Sequence, residues 1–353
     1  MQGATAVITG GAGFIGSNLA HRLLSMNCHV IVLDNLSRAS VSSNLEWLRE
    51  QHPHGLEVVV ADVRDATAVR RCVARASHVF HFAAQVAVTS SLSDPEYDFD
   101  VNARGTLNVL EAVRATEKHP HVFYTSTNKV YGGLDDLELI ETSSRYEPRN
   151  ARVRDEGIAE DRPLDFHSPY GCSKGTADQY VLDYARSYDI PAVVFRMSCI
   201  YGPRQFGTED QGWVAHFLIQ ALRAAPITIY GDGKQVRDLL FVDDLMAAFL
   251  AAEGHMDRVR GKAFNIGGGV DNSVSLLELF ALLEARFGMR PALHRDLWRL
   301  GDQRYYVTNT ERFGSLTGWA PRVGVREGVE RLLLWLADTR GRLLPRSCDL
   351  GAA

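Results

Sequence analysis

From residue 5 to about residue 125, short uninterrupted apolar runs alternate with segments whose apolar residues recur at helical spacing. The runs are Ala6-Val7-Ile8-Thr9, Val30-Ile31-Val32-Leu33, Leu56-Glu57-Val58-Val59-Val60, His78-Val79-Phe80-His81-Phe82 and His121-Val122-Phe123-Tyr124. Between them, stretches such as Asn102 to Arg114 place Leu107, Leu110 and Val113 on one helical face. Strands that are apolar at nearly every position are buried on both faces, and intervening helices predict a parallel sheet covered on both sides. The expected fold class is α/β, a doubly wound parallel sheet with a smaller C-terminal α/β lobe. Such sheets bind ligands beyond the carboxyl ends of their strands.

The rhythm breaks from Gly132 to Phe166, where charge-rich text (Arg149 to Gly157) shows no clear period. This stretch reads as an excursion near the active face or as a solvated loop. A helix is expected from Pro169 to about Tyr188, then a strand, Ala192-Val193-Val194-Phe195. Shorter strands follow at Ile227-Thr228-Ile229-Tyr230 and Ala263-Phe264-Asn265-Ile266. The division expected is a nucleotide-binding domain over 1–195, with an insert at about 132–166. A substrate lobe over 196–340 follows, some of its elements returning to the main sheet, and then a frayed tail over 341–353.

Composition narrows the classes. The chain has 353 residues, 46% hydrophobic and 23% charged, which suits a globular protein with a large core. A net charge of −5 excludes a broad nucleic-acid or membrane-surface footprint. No apolar stretch nears the roughly 20 residues of a membrane helix, and Thr5 to Thr9 runs into Gly10-Gly11 without the form of a signal peptide. A cytoplasmic location is expected. The five cysteines (Cys28, Cys72, Cys172, Cys199, Cys348) are scattered and read as reduced thiols. His52-Pro53-His54 and His119-Pro120-His121 read as surface loops, and no metal is expected.

Gly10, Gly13 and Gly16 lie where the first strand ends and the first helix begins. Glycines there allow a tight turn and let backbone N–H groups reach a pyrophosphate at the helix N-terminus, as in Rossmann folds. Asp34 ends the second strand, where a carboxylate can bind the adenosine ribose and repel a 2′-phosphate, favouring NAD over NADP. Arg38 nearby is the opposing signal. Asp62-Val63 after the third strand and Ala83-Ala84-Gln85 after the fourth fit the same cleft, or ordinary strand-end chemistry.

Tyr170 and Lys174 stand four residues apart, so a helix puts them on one face. Ser168-Pro169 supplies that helix start, serine as cap and proline in the first turn. The chain's other such pair, Tyr230 and Lys234, encloses two glycines and reads as a turn. A tyrosine acting as base toward a sugar hydroxyl must ionise near neutrality, which takes roughly 4 kcal/mol of stabilisation. A lysine one turn away and a cationic nicotinamide can supply it. A third hydroxyl is expected from Thr127 or Ser126, at the end of the fifth strand.

The glycine turn, the Ser/Thr strand end and the Tyr-Lys pair, in that order, resemble the extended short-chain dehydrogenase/reductase family over about residues 5–336. Longer segments, Ser126 to Gly132, Leu164 to Gly175, Gln205-Phe206-Gly207, Asp210 to Val214 and Gly233 to Asp238, look like the family's CDP-paratose 2-epimerase (CDP-tyvelose epimerase) branch. That resemblance implies an isomerase with tightly held NAD that inverts carbon 2 of a nucleoside-diphosphate hexose through a transient 2-keto sugar. It assigns catalysis to Thr127, Tyr170 and Lys174. Cofactor contacts would come from Gly10, Gly13, Phe14, Ile15, Gly16, Asp34, Asn35, Ser37, Arg38, Asp62, Val63, Ala83, Ala84, Gln85 and Asn102, together with Tyr170 and Lys174. Substrate contacts would come from Ser126, Asn128, Met197, Ser198, Gln211, Arg237 and Arg304, with the two arginines on the diphosphate.

Sugar 4,6-dehydratases of the family carry an Asp-Glu pair where this chain has Asn128-Lys129, so dehydration is not expected. Met197 stands where some 2-epimerases have histidine, which leaves the exact sugar open. A 4-epimerase or mutase on a UDP- or GDP-hexose is the alternative within the class, and an NAD-sensing binding module the alternative outside it. By analogy with relatives, a homodimer is expected.

Overall fold

A computed structural model of the chain describes residues 1–38, 41–299 and 301–339. The expected tail, 341–353, lies outside the described residues. Seven strands build the central sheet: β1 (Thr5–Thr9), β2 (His29–Asp34), β3 (Leu56–Val60), β4 (His78–His81), β5 (His121–Thr127), β6 (Ala192–Met197) and β7 (Lys262–Ile266). Their order is β7-β6-β5-β4-β1-β2-β3, and every pairing is parallel. The alternation of strand side chains explains the unbroken apolar runs. Ala6, Ile8, Val30, Val32, Phe80 and Phe123 enter the core on one face, while Val7, Ile31, Leu33, Val79 and Val122 enter the core on the other. Strand order reverses between β1 and β4, and a doubly wound sheet opens its ligand crevice at that point.

Three elements differ from the sequence pattern in ways that matter. β5 runs on to Thr127, so Thr125, Ser126 and Thr127 are buried strand residues. The helix expected from Asn102 begins as a wide π turn over Asp100–Arg104 before the α-helix Gly105–Arg114. Within that turn Asn102 is fully buried and binds the main chain of Gln85. His121 opens β5 and does not sit in a loop. Its Nδ1 lies 2.8 Å from Glu253, whose other oxygen lies 2.9 Å from His78 Nε2, tying the floor of the sheet to the helix Val242–Gly254.

The stretch 132–166 also acquires structure. Strands Leu139–Glu141 and Tyr146–Pro148 form an antiparallel hairpin, and a short helix spans Ala151–Glu156. Arg145 pairs with Glu278 at 2.6 Å, Tyr146 Oη donates to Asp232 at 2.5 Å, and Lys234 meets Glu141 at 2.7 Å. The hairpin is thereby fastened to the C-terminal lobe, and no residue from 132 to 166 lines either cavity described below. The polar text that hid its period supplies those ion pairs. In the lobe, the strand Val236–Phe241 pairs with Cys199–Tyr201, Ser273–Ser275 and Tyr305–Tyr306, while Ile227–Tyr230 pairs with Leu293–Asp296. Among the described residues no helix is long and apolar enough to cross a membrane.

Candidate active site

Two cavities, of about 490 and about 400 Å³, open at the carboxyl ends of the strands and share Val86, Tyr170 and Gln211 in their walls. The first lies over the glycine turn. Gly10 has φ +66°, and a Cβ there would fall 2.8 Å from the Ala83 nitrogen. A Cβ on Gly16 would fall 2.3 Å from the Gly10 carbonyl oxygen. The helix Phe14–Ser25 therefore starts close against the turn, and no side chain caps it. Its first N–H groups are free to serve an anion, so the cradle fits a pyrophosphate. Each carboxylate oxygen of Asp34 holds one backbone N–H, from Ala12 at 3.0 Å and Leu36 at 2.9 Å. Those bonds fix the carboxylate at the cavity wall with lone pairs left for a ribose hydroxyl.

The floor between β1 and β4 is set by a neutral histidine. Thr9 Oγ1 accepts the N–H groups of Phe82 and Ala83 at 3.2 Å, so its own proton goes to His81 Nδ1 at 2.6 Å. Burial, with Lys174 nearby, pushes His81 down to about 3 and keeps it uncharged. Ser126 Oγ is buried in the same wall without a partner, as a side chain waiting for a polar ligand atom would be.

The helix Ser168–Ser187 carries the tyrosine and lysine. His167, not Ser168 as expected, is the cap residue, and Ser168 is the first residue of the helix, with φ +62° and its Oγ accepting the Gly171 N–H at 3.3 Å. Tyr170 reaches the seam between the two cavities, and Lys174 lies below it, with Nζ donating to the Thr125 carbonyl at 2.6 Å. Burial raises the Tyr170 phenol, and Asp98 adds to this, while the Thr127 hydroxyl bonded to it and Arg38 pull it back. Burial pushes Lys174 down to about 7 against the pull of Asp178 and Asp98. Without a ligand, both buried groups thus lean toward their neutral forms. Asp178 itself is held by a bidentate pair with Arg196 at 2.9 Å, which locks the helix to β6.

The second cavity runs from Thr127, Asn128, Lys129 and Tyr170 to Trp213, Tyr230, Arg237 and Arg299. Arg237 donates to Asp302 at 2.6 Å, and Arg299 lies with its guanidinium 3.8 Å from the centre of the Tyr230 ring. The deciding comparison is with sequences of known families. The model of the NAD dependent epimerase/dehydratase family matches residues 6–267. The chain belongs to that family.

Within it, the chain is 44% identical over 339 residues to the CDP-paratose 2-epimerase of Salmonella typhi, covering 94% of this chain and 99% of that one. It is 33% identical to the UDP-glucose 4-epimerase of Mycolicibacterium smegmatis, covering 92% and 96%. Among solved structures, UDP-glucose 4-epimerase of Thermus thermophilus in complex with NAD superposes with a TM-score of 0.77 at 31% identity, covering 94% and 99%.

Against that family background, most of the expected residues assemble. Gly10, Gly13, Phe14, Ile15, Gly16, Asp34, Asn35, Ser37, Arg38, Asp62, Val63, Ala83, Ala84, Gln85, Ser126, Tyr170, Lys174, Met197 and Gln211 line the first cavity. Thr127, Asn128, Gln211 and Arg237 line the second. Three do not reach either wall. Asn102 lies behind the first, joining Gln85 to Ser173 of the tyrosine helix. Ser198 bonds Asp238. Arg304 is exposed, 5.6 Å from the rings of both Tyr146 and Trp298. Arg299 takes the place in the cavity expected of Arg304. Lys129, read in the sequence only as standing where dehydratases carry a carboxylate, also lines the wall, as do Cys199 and His216, which the motifs did not single out.

Proposed function

We propose that the protein is an NAD-dependent epimerase that inverts carbon 2 of a nucleoside-diphosphate hexose, of the CDP-paratose to CDP-tyvelose type. The observation that carries this reading is the position of Tyr170. It alone of the three expected catalytic residues lines both cavities, one fitted to a dinucleotide and the other to a phosphorylated ligand. NAD, when bound, supplies the acceptor for the hydride of carbon 2 and gives the same hydride back. Tyr170 Oη takes the proton of the 2-hydroxyl as the ketone forms and returns it after the sugar has presented its other face. Lys174 favours the phenolate by its charge, and Thr127 donates toward the reacting oxygen. Arg237 and Arg299 hold the diphosphate while the sugar turns. Net redox is zero, so no external reductant is consumed.

The 44% identity to a 2-epimerase, against 33% to a 4-epimerase, favours carbon 2. Asn128 and Lys129 also stand beside Thr127 where dehydratases of the family carry their Asp-Glu pair, so that position offers no acid and base for eliminating water. Residues 1–195 would form the NAD-binding unit and 196–340 the substrate lobe, with β7 returning to the main sheet. A homodimer through the tyrosine helix is part of this reading. Phe99 and Tyr180 are about half exposed, at 48% and 46%, on that side. Unpaired cysteines among the described residues suit a cytoplasmic enzyme. The test is Tyr170→Phe. Turnover should fall by roughly 100- to 10,000-fold, as expected for removal of a general base, while NAD content and fold persist. Retained turnover would sink the mechanism, and a binding module would keep its function.

A further inference from the structure

One cation in the second cavity takes no part in the hydride exchange derived above. The main-chain N–H of Lys129 donates to Thr127 Oγ1 at 3.2 Å, so the residue starts beside the reacting end. Its side chain crosses to the loop that follows Arg299. There Nζ donates to the Gly301 carbonyl at 3.0 Å and stands 4.0 Å from Asp302 Oδ1. The same Asp302 oxygen receives Arg237 at 2.6 Å. One carboxylate therefore serves two cations, while Arg299 faces Glu209 and Asp210, and the Lys129 ammonium stands in a wall that also contains Tyr170 and Asn128. An ammonium carries three donors, and the protein gives this one a single short hydrogen bond.

We propose that Lys129 is a sugar-binding residue, whose ammonium hydrogen-bonds a hexose oxygen other than the one Tyr170 deprotonates and so retains the keto sugar while it turns. This rests on the carbon-2 reading given above. The placement argues for the sugar because Lys129 spans the interval from Thr127, at the reacting end, to Asp302 and Arg237, at the diphosphate end. In a nucleoside-diphosphate hexose that interval is occupied by the ring. The chemistry asks for such a group as well. The ketone must release its first pose to offer its other face, and a ring held only through its diphosphate can swing out of the cavity. An ammonium with free donors can pass from one ring oxygen to another during the turn. Burial and Arg237 push Lys129 down to about 8, with Asp302 and Cys199 acting in the other direction. The charge is thus present at pH 7 and is lost above pH 8 in the free enzyme.

The test uses Lys129→Met, which keeps the aliphatic stem without donors, and Lys129→Arg, which keeps a cation. NAD content and affinity for CDP alone should match the parent in both. With CDP-paratose, Lys129→Met should lose roughly 10- to 150-fold in kcat/KM, the range for a hydrogen bond to a charged group. It should also strand reduced cofactor, seen as near-ultraviolet absorbance, because keto sugar escapes before the hydride returns. Lys129→Arg, which keeps a cation at this place, should recover most of the rate that Lys129→Met loses. If Lys129→Met fails to fold, Lys129→Leu, which also lacks donors, carries the same comparison. A folded Met or Leu variant with parental kcat/KM and no stranded cofactor overturns the proposal and leaves the carbon-2 reading standing. A parent enzyme that does not invert carbon 2 of a CDP-hexose overturns both.

Discussion

Replacing Gly16 with alanine adds a single methyl group, yet it should disable the cofactor cradle. An ideal Cβ at this position would lie 2.3 Å from the Gly10 carbonyl oxygen, 2.6 Å from Gly11 Cα and 2.9 Å from the Gly11 carbonyl carbon. All three are backbone atoms, so no side chain can swing away to make room. Ordinary contact lies near 3.5 Å, so the helix Phe14–Ser25 must withdraw by about 1 Å from the turn. Overpacking of this kind costs about 1–3 kcal/mol in stability. The functional loss should be larger, because the withdrawn N–H groups are those that would meet the pyrophosphate, and about 1 Å of misplacement can cost on the order of a hundredfold. Calorimetric titration with NAD, beside a thermal melt of the same sample, reads both effects. Gly254→Ala is the control, since a Cβ there meets nothing within 4 Å. If Gly16→Ala bound NAD with parental affinity, the close approach of helix and turn would not be what builds the site.

Asp178→Ala should cost about 3–5 kcal/mol in chemical denaturation, because Arg196, its side chain only 6% exposed, loses a bidentate partner. A loss under about 1 kcal/mol would show that the pair does not lock the tyrosine helix to the sheet. His78 and His121, despite opposing burial, hold the Glu253 carboxyl down to about 2 in the folded state. A depressed carboxyl stabilises above its unfolded value and loses that contribution as pH falls. Up to roughly 3 kcal/mol should therefore disappear between about pH 4.5 and pH 2. Glu253→Gln should abolish that part of the acid dependence, and an unchanged acid limb would contradict it. NAD should bind at least about tenfold more tightly than NADP because Asp34 repels a 2′-phosphate, and Asp34→Ala should narrow the gap. Equal affinities in the parent would defeat that argument.

The central sheet was legible because burial on both faces writes itself as unbroken apolar runs, and the Gly10–Gly16 turn and the Tyr170–Lys174 pair lie within single local segments. The hairpin at Leu139–Pro148 was not legible, because its residues are specified by partners far along the chain, such as Glu278 and Asp232. Arg299 was missed for a related reason. Arg304 and Arg299 lie on one irregular segment, and only the fold decides which of them enters the cavity. Ser126 and Thr127 were read at the end of the fifth strand, but their hydroxyl side chains, polar in text, did not reveal that they are buried in the wall of the site.

Proton NMR of the purified, NAD-loaded protein with CDP-paratose in deuterium oxide, adding no reductant, tests the central claim most directly. The account predicts a new anomeric signal of inverted carbon-2 configuration whose carbon-2 hydrogen comes from the substrate, because the hydride never exchanges with solvent. Deuterium at carbon 2 of the product, or no conversion of CDP-paratose while a UDP-hexose is inverted at carbon 4, would contradict it.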